Sequence, residues 1–269
     1  MVLTRWWRGL QARREEAAVA RRAIPDDLWK RTLIRYPFLQ RRDAEAAAEL
    51  RRLTSLFLDR KEFSAAGGLR LTDAMVVAIA AQAVLPVLQL GLARYDGFVG
   101  IVVHPDQVTT RREVADDDGV VHEYDEVLAG EAVDGGPIML SWRDVRAAGA
   151  ASGAGGAGGA GGAGGAGGSA YNVVIHEFAH VLDFAGGGPG LHAALQDEYA
   201  RFCVRVDAGE ATALDPYGAT AVEEFFAVAS EGFFVSPDAT RREHPALYER
   251  LMSFYAQDPA ADSPPPRRR

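Results

Sequence analysis

His176, Glu177 and His180 lie in the pentapeptide His-Glu-Phe-Ala-His, a spacing that suits a catalytic zinc ion. On an α-helix, positions i and i+4 stand one turn apart on the same face, so both imidazoles can reach one metal. Glu177 follows the first histidine directly, where its carboxylate can reach a water activated by the metal without binding the metal itself. The competing reading is an amphipathic core helix that happens to carry two histidines. That reading buries two unpaired rings and a carboxylate on one face, which is costly.

A hydrolytic zinc site needs three protein ligands and an open position for water. One large class of zinc proteases takes its third ligand from a histidine six residues after the second motif histidine, beyond a glycine turn. Gly186 and Asp183 occupy those two positions, which excludes the class. Asp183 shares a face with His176 and suits the task of orienting an imidazole N–H better than ligation. A second helix, residues 221–234, is the better source. It is apolar except for Glu223, Glu224 and Glu231, and the last two share a face while Glu223 points aside. Carboxylates crowded by Phe225, Phe226, Phe233 and Phe234 are expensive unless paired or metal-bound.

The surrounding pattern supplies the elements that would position these groups. Asp43 to Phe63 reads as a helix ended by Gly67-Gly68, and Thr72 offers a cap for a second, alanine-rich helix from Ala74 to Leu92. Gln82, Pro86 and Gln89 make that stretch a buried helix, kinked near Pro86, rather than a membrane span. Phe98–His104 and Ile138–Trp142 read as short strands, with a hairpin turn at Asp116–Gly119. Strands precede the zinc helix, so the arrangement expected is α+β. Between them, from Gly149 to Ser169, runs a segment in which Ala-Gly-Gly repeats five times. It can bury no apolar area and is expected to be a flexible insertion.

The net charge of −8 is unevenly spread. Residues 1–62 hold fifteen Lys/Arg against nine Asp/Glu, which leaves the remainder at −14. Neither a nucleic-acid groove nor a membrane patch is expected around the histidine motif. The basic start of the chain lacks the apolar run of a signal peptide, and the single cysteine, Cys203, permits no disulfide framework within the chain. A cytoplasmic protein with a buried structural thiol is expected. Three segments follow: a basic helical stretch over 1–45, the main domain over 46–255 and a disordered tail over 256–269.

Beyond the two helices, Leu58–Phe63, Ile79–Ala83, Gly130–Ala132 and Gly136–Trp142 complete a pattern that resembles the Mlc titration factor A family of bacterial zinc peptidases. The resemblance implies a zincin-like core, with a small mixed sheet, an active-site helix and N-terminal helices. It implies one Zn2+ held by His176, His180 and Glu224, with Glu177 as catalytic base. Asp183 and Glu231 are expected in support around those ligands. The catalytic domain of anthrax lethal factor is similar at the second helix, where a tyrosine seven residues before the ligand glutamate lines the site. Here that position is Tyr217, whose phenol could donate to a tetrahedral oxyanion, unless it is an ordinary turn tyrosine. The implied substrate is a peptide or protein, and strand 138–142 is the expected place for an extended substrate to pair. The family also implies sequestration of a glucose-responsive transcriptional repressor, a binding task that would not need Glu177. The glycine-alanine repeat departs from the family, standing where a short connection is expected.

Overall fold

A computed structural model describes residues 2–115, 121–151 and 170–261. Three helices come first: α1 (Val2–Arg21), α2 (Asp26–Arg35) and α3 (Ala44–Arg60). The Asp43 side chain caps α3 by accepting from the Ala46 N–H at 2.8 Å. Leu50, Leu53, Leu56 and Phe57 recur along α3 at helical spacing and are buried. The helix stops at Arg60, short of the expected Phe63, because Glu62–Ala65 form a strand, β1. The Glu62 N–H there donates to Val99 at 3.0 Å, a non-local partner that outweighs local helical preference.

Thr72 caps α4 (Asp73–Val84), as its sequence position predicts. This helix ends at Val84 and passes into a 3-10 turn at Leu85–Val87, where Pro86 cannot supply the next helical N–H. No helix among the described residues is long and apolar enough to cross a membrane. The strands β2 (Gly100–His104), β3 (Val108–Ala115), β4 (Val121–Leu128), β5 (Gly130–Ala132) and β6 (Ile138–Ser141) follow. The main sheet has the order β1-β2-β6-β5, parallel across β1–β2 and β2–β6 and antiparallel across β5–β6. The fold is therefore α+β with a small mixed sheet. Strands β3 and β4 form a separate antiparallel pair. The turn expected at 116–119 lies outside the described residues.

The sheet order corrects one expectation. Strand β6 lies between β2 and β5, so both of its edges are occupied and it cannot receive a substrate strand. The edges belong to β1 and β5. Beyond β6 comes α5 (Trp142–Ala151), started by Ser141, whose hydroxyl donates to Asp144 Oδ2 at 2.5 Å. Residues 149–151 continue that helix, so the glycine-alanine insertion does not begin at Gly149; residues 152–169 lie outside the described part.

The remaining helices are α6 (Val173–Leu182), α7 (Gly188–Asp207), α8 (Val222–Val235), α9 (Pro237–Glu243) and α10 (Pro245–Tyr255). A wide turn over Asp183–Gly187 kinks the chain between α6 and α7, with Gly186 at φ 124°, a conformation that L side chains rarely adopt. Phe178 fixes the inner face of α6, its ring centroid 5.0 Å from Tyr95, 5.7 Å from Phe57 and 5.8 Å from Phe98. Ala18, Ile24, Trp29, Tyr36 and Phe38 join the same apolar cluster as α4, α6 and α8, so the basic N-terminal helices pack against it. The tail expected from residue 256 is folded through Ala261. Gln257 donates to the Leu85 carbonyl at 3.0 Å, and the Tyr248 hydroxyl donates to Asp258 at 2.7 Å and accepts from the Ala260 N–H at 2.9 Å. Cys203 is half-buried, with Sγ 3.8 Å from the Ala219 carbonyl oxygen.

Candidate metal centre

Helix α6 is pinned at its start. The Asn172 side chain accepts from the Ile175 N–H at 3.1 Å, and its amide donates to Gln82 of α4 at 2.9 Å. The backbone N–H of Asn172 donates to Glu231 of α8. One capping residue therefore sets α6 against both neighbours. With Phe178 committed to the core, His176 and His180 emerge on the face turned toward α8.

There the structure brings His176, His180 and Glu224 together, with one ligand atom from each lying within 4.8 Å of the others. His176 Nε2 is 3.3 Å from His180 Nε2 and 3.1 Å from Glu224 Oε2, and His180 Nε2 is 3.6 Å from Glu224 Oε1. Ligand bonds of about 2.0–2.1 Å in a tetrahedron give edges of roughly 3.3–3.4 Å. His176 Nε2 stands near that spacing from both partners, and Glu224 meets the two rings through different carboxylate oxygens, so the three residues can offer an ion two imidazole nitrogens and a carboxylate.

Glu231 completes the frame from about two turns further along the same α8 face as Glu224, its Oε1 accepting from His176 Nδ1 at 2.8 Å. That bond engages Nδ1 and leaves Nε2 as the ring nitrogen that faces His180 and Glu224. Burial disfavours charge on His176, but the carboxylates of Glu224 and Glu231 outweigh it and raise the ring well above its ordinary pKa. Burial also raises Glu231 against the pull of His176, while in Glu224 the two imidazoles overcome burial and lower the pKa strongly.

Glu177 is 5% exposed, and burial raises its carboxyl to about 7 against the pull of His176 and His180. The neighbour that admits it is Gly130 at the start of β5. A Cβ on Gly130 would stand 2.4 Å from Glu177 Oε1, so only glycine leaves room for the carboxylate. The Gly130–Ala132 motif by itself assigns this glycine no task. A lone glycine at a strand position is the signal that could have marked close backbone approach.

Two aromatic rings flank the histidines. Tyr217, in the 3-10 turn Pro216–Ala219 before α8, is 42% exposed with its ring centroid 6.2 Å from that of His176. Phe184 stacks on His180 at 6.5 Å. Asp183 does not meet either of these histidines. Its Oδ2 accepts from His192 Nε2 of α7 at 2.8 Å, and His192 Nδ1 lies 3.6 Å from Glu223 Oε1. The aspartate thus orients an imidazole other than the one expected, because the kink after it turns α7 back over the end of α6. Tyr171, just before α6, has a buried hydroxyl without a hydrogen-bond partner among the described residues. Burial and the surrounding carboxylates of Asp144, Glu231, Glu177 and Asp215 all raise its pKa.

Comparison with known proteins gives the same direction. Residues 10–256 match the family model described as glucose-regulated metallo-peptidase M90. The match takes in the N-terminal helices, on which no motif of the sequence resemblance rested. Mlc titration factor A of Serratia proteamaculans is 34% identical over 245 residues, covering 84% of this chain and 85% of that protein. The Mlc titration factor A of Salmonella arizonae is 33% identical over 255 residues, covering 87% and 92%.

Proposed function

This chain belongs to the glucose-regulated metallo-peptidase M90 family, and on that footing we propose that it is a zinc-dependent peptidase. His176, His180 and Glu224 would hold the ion. The observation that carries the reading is the convergence of the two imidazoles and the Glu224 carboxylate, with the Glu177 carboxylate packed in the space that Gly130 leaves open. Zinc bound there would polarise the scissile carbonyl and make water acidic enough to lose a proton near neutral pH.

The chain's own groups supply the rest. Glu177 accepts the proton of the attacking water and passes it to the leaving amine. Tyr217 donates its phenolic hydrogen to the oxyanion that develops on the carbonyl. Glu231 keeps the His176 ring in one tautomer while charge changes nearby. The edge strand β5, rather than β6, offers its backbone to an extended substrate, since it runs past Glu177 at Gly130.

Glu177→Gln keeps the size of the side chain and removes the base. Peptide hydrolysis by the zinc-loaded protein should fall about 100- to 10,000-fold while metal content holds. Activity retained in the variant would overturn this mechanism.

A second reading rests on the name of the relatives, Mlc titration factor A, which says of those proteins that they titrate Mlc. On this reading the chain binds a transcriptional repressor, and hydrolysis is secondary. The two separate on the Glu177→Gln protein. Relief of repression that survives the substitution supports binding, and relief that disappears with the base supports proteolysis.

A further inference from the structure

Beside the metal centre lies a recess of about 70 Å³, between the turn that joins β5 to β6 and the end of α6. We propose that it is a specificity pocket for a short aliphatic side chain of the substrate peptide, two or three residues from the cleaved bond. The inference rests on the peptidase reading above and adds a substrate class to it.

Position argues for it first. Phe184, which walls the recess, stacks on His180, and Val181 beside it follows His180 directly. The opposite wall is Val133, three residues beyond the Gly130 that faces Glu177. A strand advances about 3.3 Å per residue, so that wall stands roughly 10 Å along the edge from the reacting carboxylate. A peptide extended along β5 with its scissile carbonyl near Glu177 would bring a side chain two or three positions away to the recess.

Lining and size argue for the rest. Phe98 forms buried floor, and Val133 and Phe184 are 52% and 48% exposed, an unusual pair of large apolar side chains to leave in water around one hollow. A cavity of about 150 Å³ accommodates a benzene ring. Half that volume suits valine or leucine and excludes an aromatic ring. The turn that forms one wall is fixed, with the Gly136 N–H donating to the Val133 carbonyl at 2.9 Å and Gly135 at φ 67°. Arg94 and Asp134 bring opposite charges to the lining, so the pocket carries no single sign that would select a charged side chain.

The test is a peptide series varied at one position at a time, cleaved by the zinc-loaded protein. Valine or leucine should be preferred over glycine and phenylalanine by at least about tenfold at a position two or three residues from the cleaved bond. Val133→Trp, which fills the recess, should erase that preference. Phe184→Ala, which widens it, should shift the preference toward phenylalanine. The same ranking should appear in the affinities of the peptides for zinc-loaded Glu177→Gln protein, a readout independent of turnover. Cleavage without the preference, or with a preference that both variants leave in place, overturns the pocket and leaves the peptidase reading standing. No cleavage of any peptide by zinc-loaded wild-type protein overturns both.

Discussion

Glu231 of α8 reaches across to Nδ1 of His176 at 2.8 Å, one helical heptad beyond Glu224. One helix thereby presents a carboxylate to the centre and clamps the ring of a donor carried by another. The same Glu231 accepts the Asn172 N–H at the start of α6, so the clamp also sets the helix that carries both histidines. Removing it with Glu231→Ala should weaken metal binding about 10- to 100-fold, and Glu231→Gln, which can still accept one hydrogen bond, should lose less. Competition with a chelator of known affinity measures both. Equal affinity in all three proteins would leave Glu231 without a part in orienting His176.

Gly130→Ala places a methyl group where the Glu177 carboxylate now lies, 2.4 Å from Oε1. Either β5 or the carboxylate must shift. Because a displacement of about 1 Å at a catalytic group can cost roughly 100-fold, turnover should drop by that order. Zinc stoichiometry should stay at the wild-type value, since the atoms nearest the new methyl all belong to Glu177 and not to His176, His180 or Glu224. A variant with normal turnover would show that the close approach has no catalytic consequence.

His192 ties the end of α6 to the start of α8 by standing between Asp183 and Glu223. Asp183 is 5% exposed and its Oδ1 has no hydrogen-bond partner among the described residues, so His192 carries most of its compensation. His192→Ala should destabilise the protein by about 1.5–3 kcal/mol, the range for a hydrogen bond to a charged group. A thermal unfolding midpoint lower by roughly 2–4 °C per kcal/mol would report it. Adding Asp183→Asn to that variant should recover part of the loss, because no buried charge is then left unpaired. Two losses that simply add would argue that the pair is uncoupled.

His244 makes an acid-side contribution to stability. Burial, assisted by the charge of Arg205, keeps its pKa below the ordinary 6.5 against the pull of Glu243 and Glu198, and its Nε2 has no hydrogen-bond partner among the described residues. The unfolded chain protonates this ring as pH falls through about 6.5 while the folded chain resists. The unfolded state then binds more protons, so the folded state loses stability on acidification, and the loss vanishes above that pH. His244→Phe keeps a ring against Phe202 and removes the titration. Urea unfolding of metal-free protein at pH 7.5 and pH 5 should show a smaller drop in the variant than in the wild type. An identical drop would remove His244 from the acid response.

Much of this architecture could be read from short-range pattern. The caps at Asp43 and Thr72 and the histidine spacing of α6 all use residues within one turn of one another, where sequence distance and spatial distance agree. The misses share the opposite property. Glu62-Phe63 continues an α3-like pattern, and only its pairing with β2, nearly forty residues on, makes it a strand. The place of β6 inside the sheet depends on β1, β2 and β5 together, which no single segment encodes. Helical spacing alone pairs Asp183 with His176, but the kink at Gly186 brings His192 to it instead.

The glycine-alanine repeat divides the chain in a way that bears on how the site could be assembled. His176, Glu177, His180, Glu224 and Glu231 all follow it, whereas β5 with Gly130 and the recess wall at Val133 precede it. A cut within the repeat would therefore leave His176, His180 and Glu224 on one polypeptide and the edge strand β5 on the other. The Asn172–Gln82 hydrogen bond spans those two halves. Activity regained on mixing separately made halves would become a direct reporter of their association, since the recess draws Val133 from one half and Phe184 from the other.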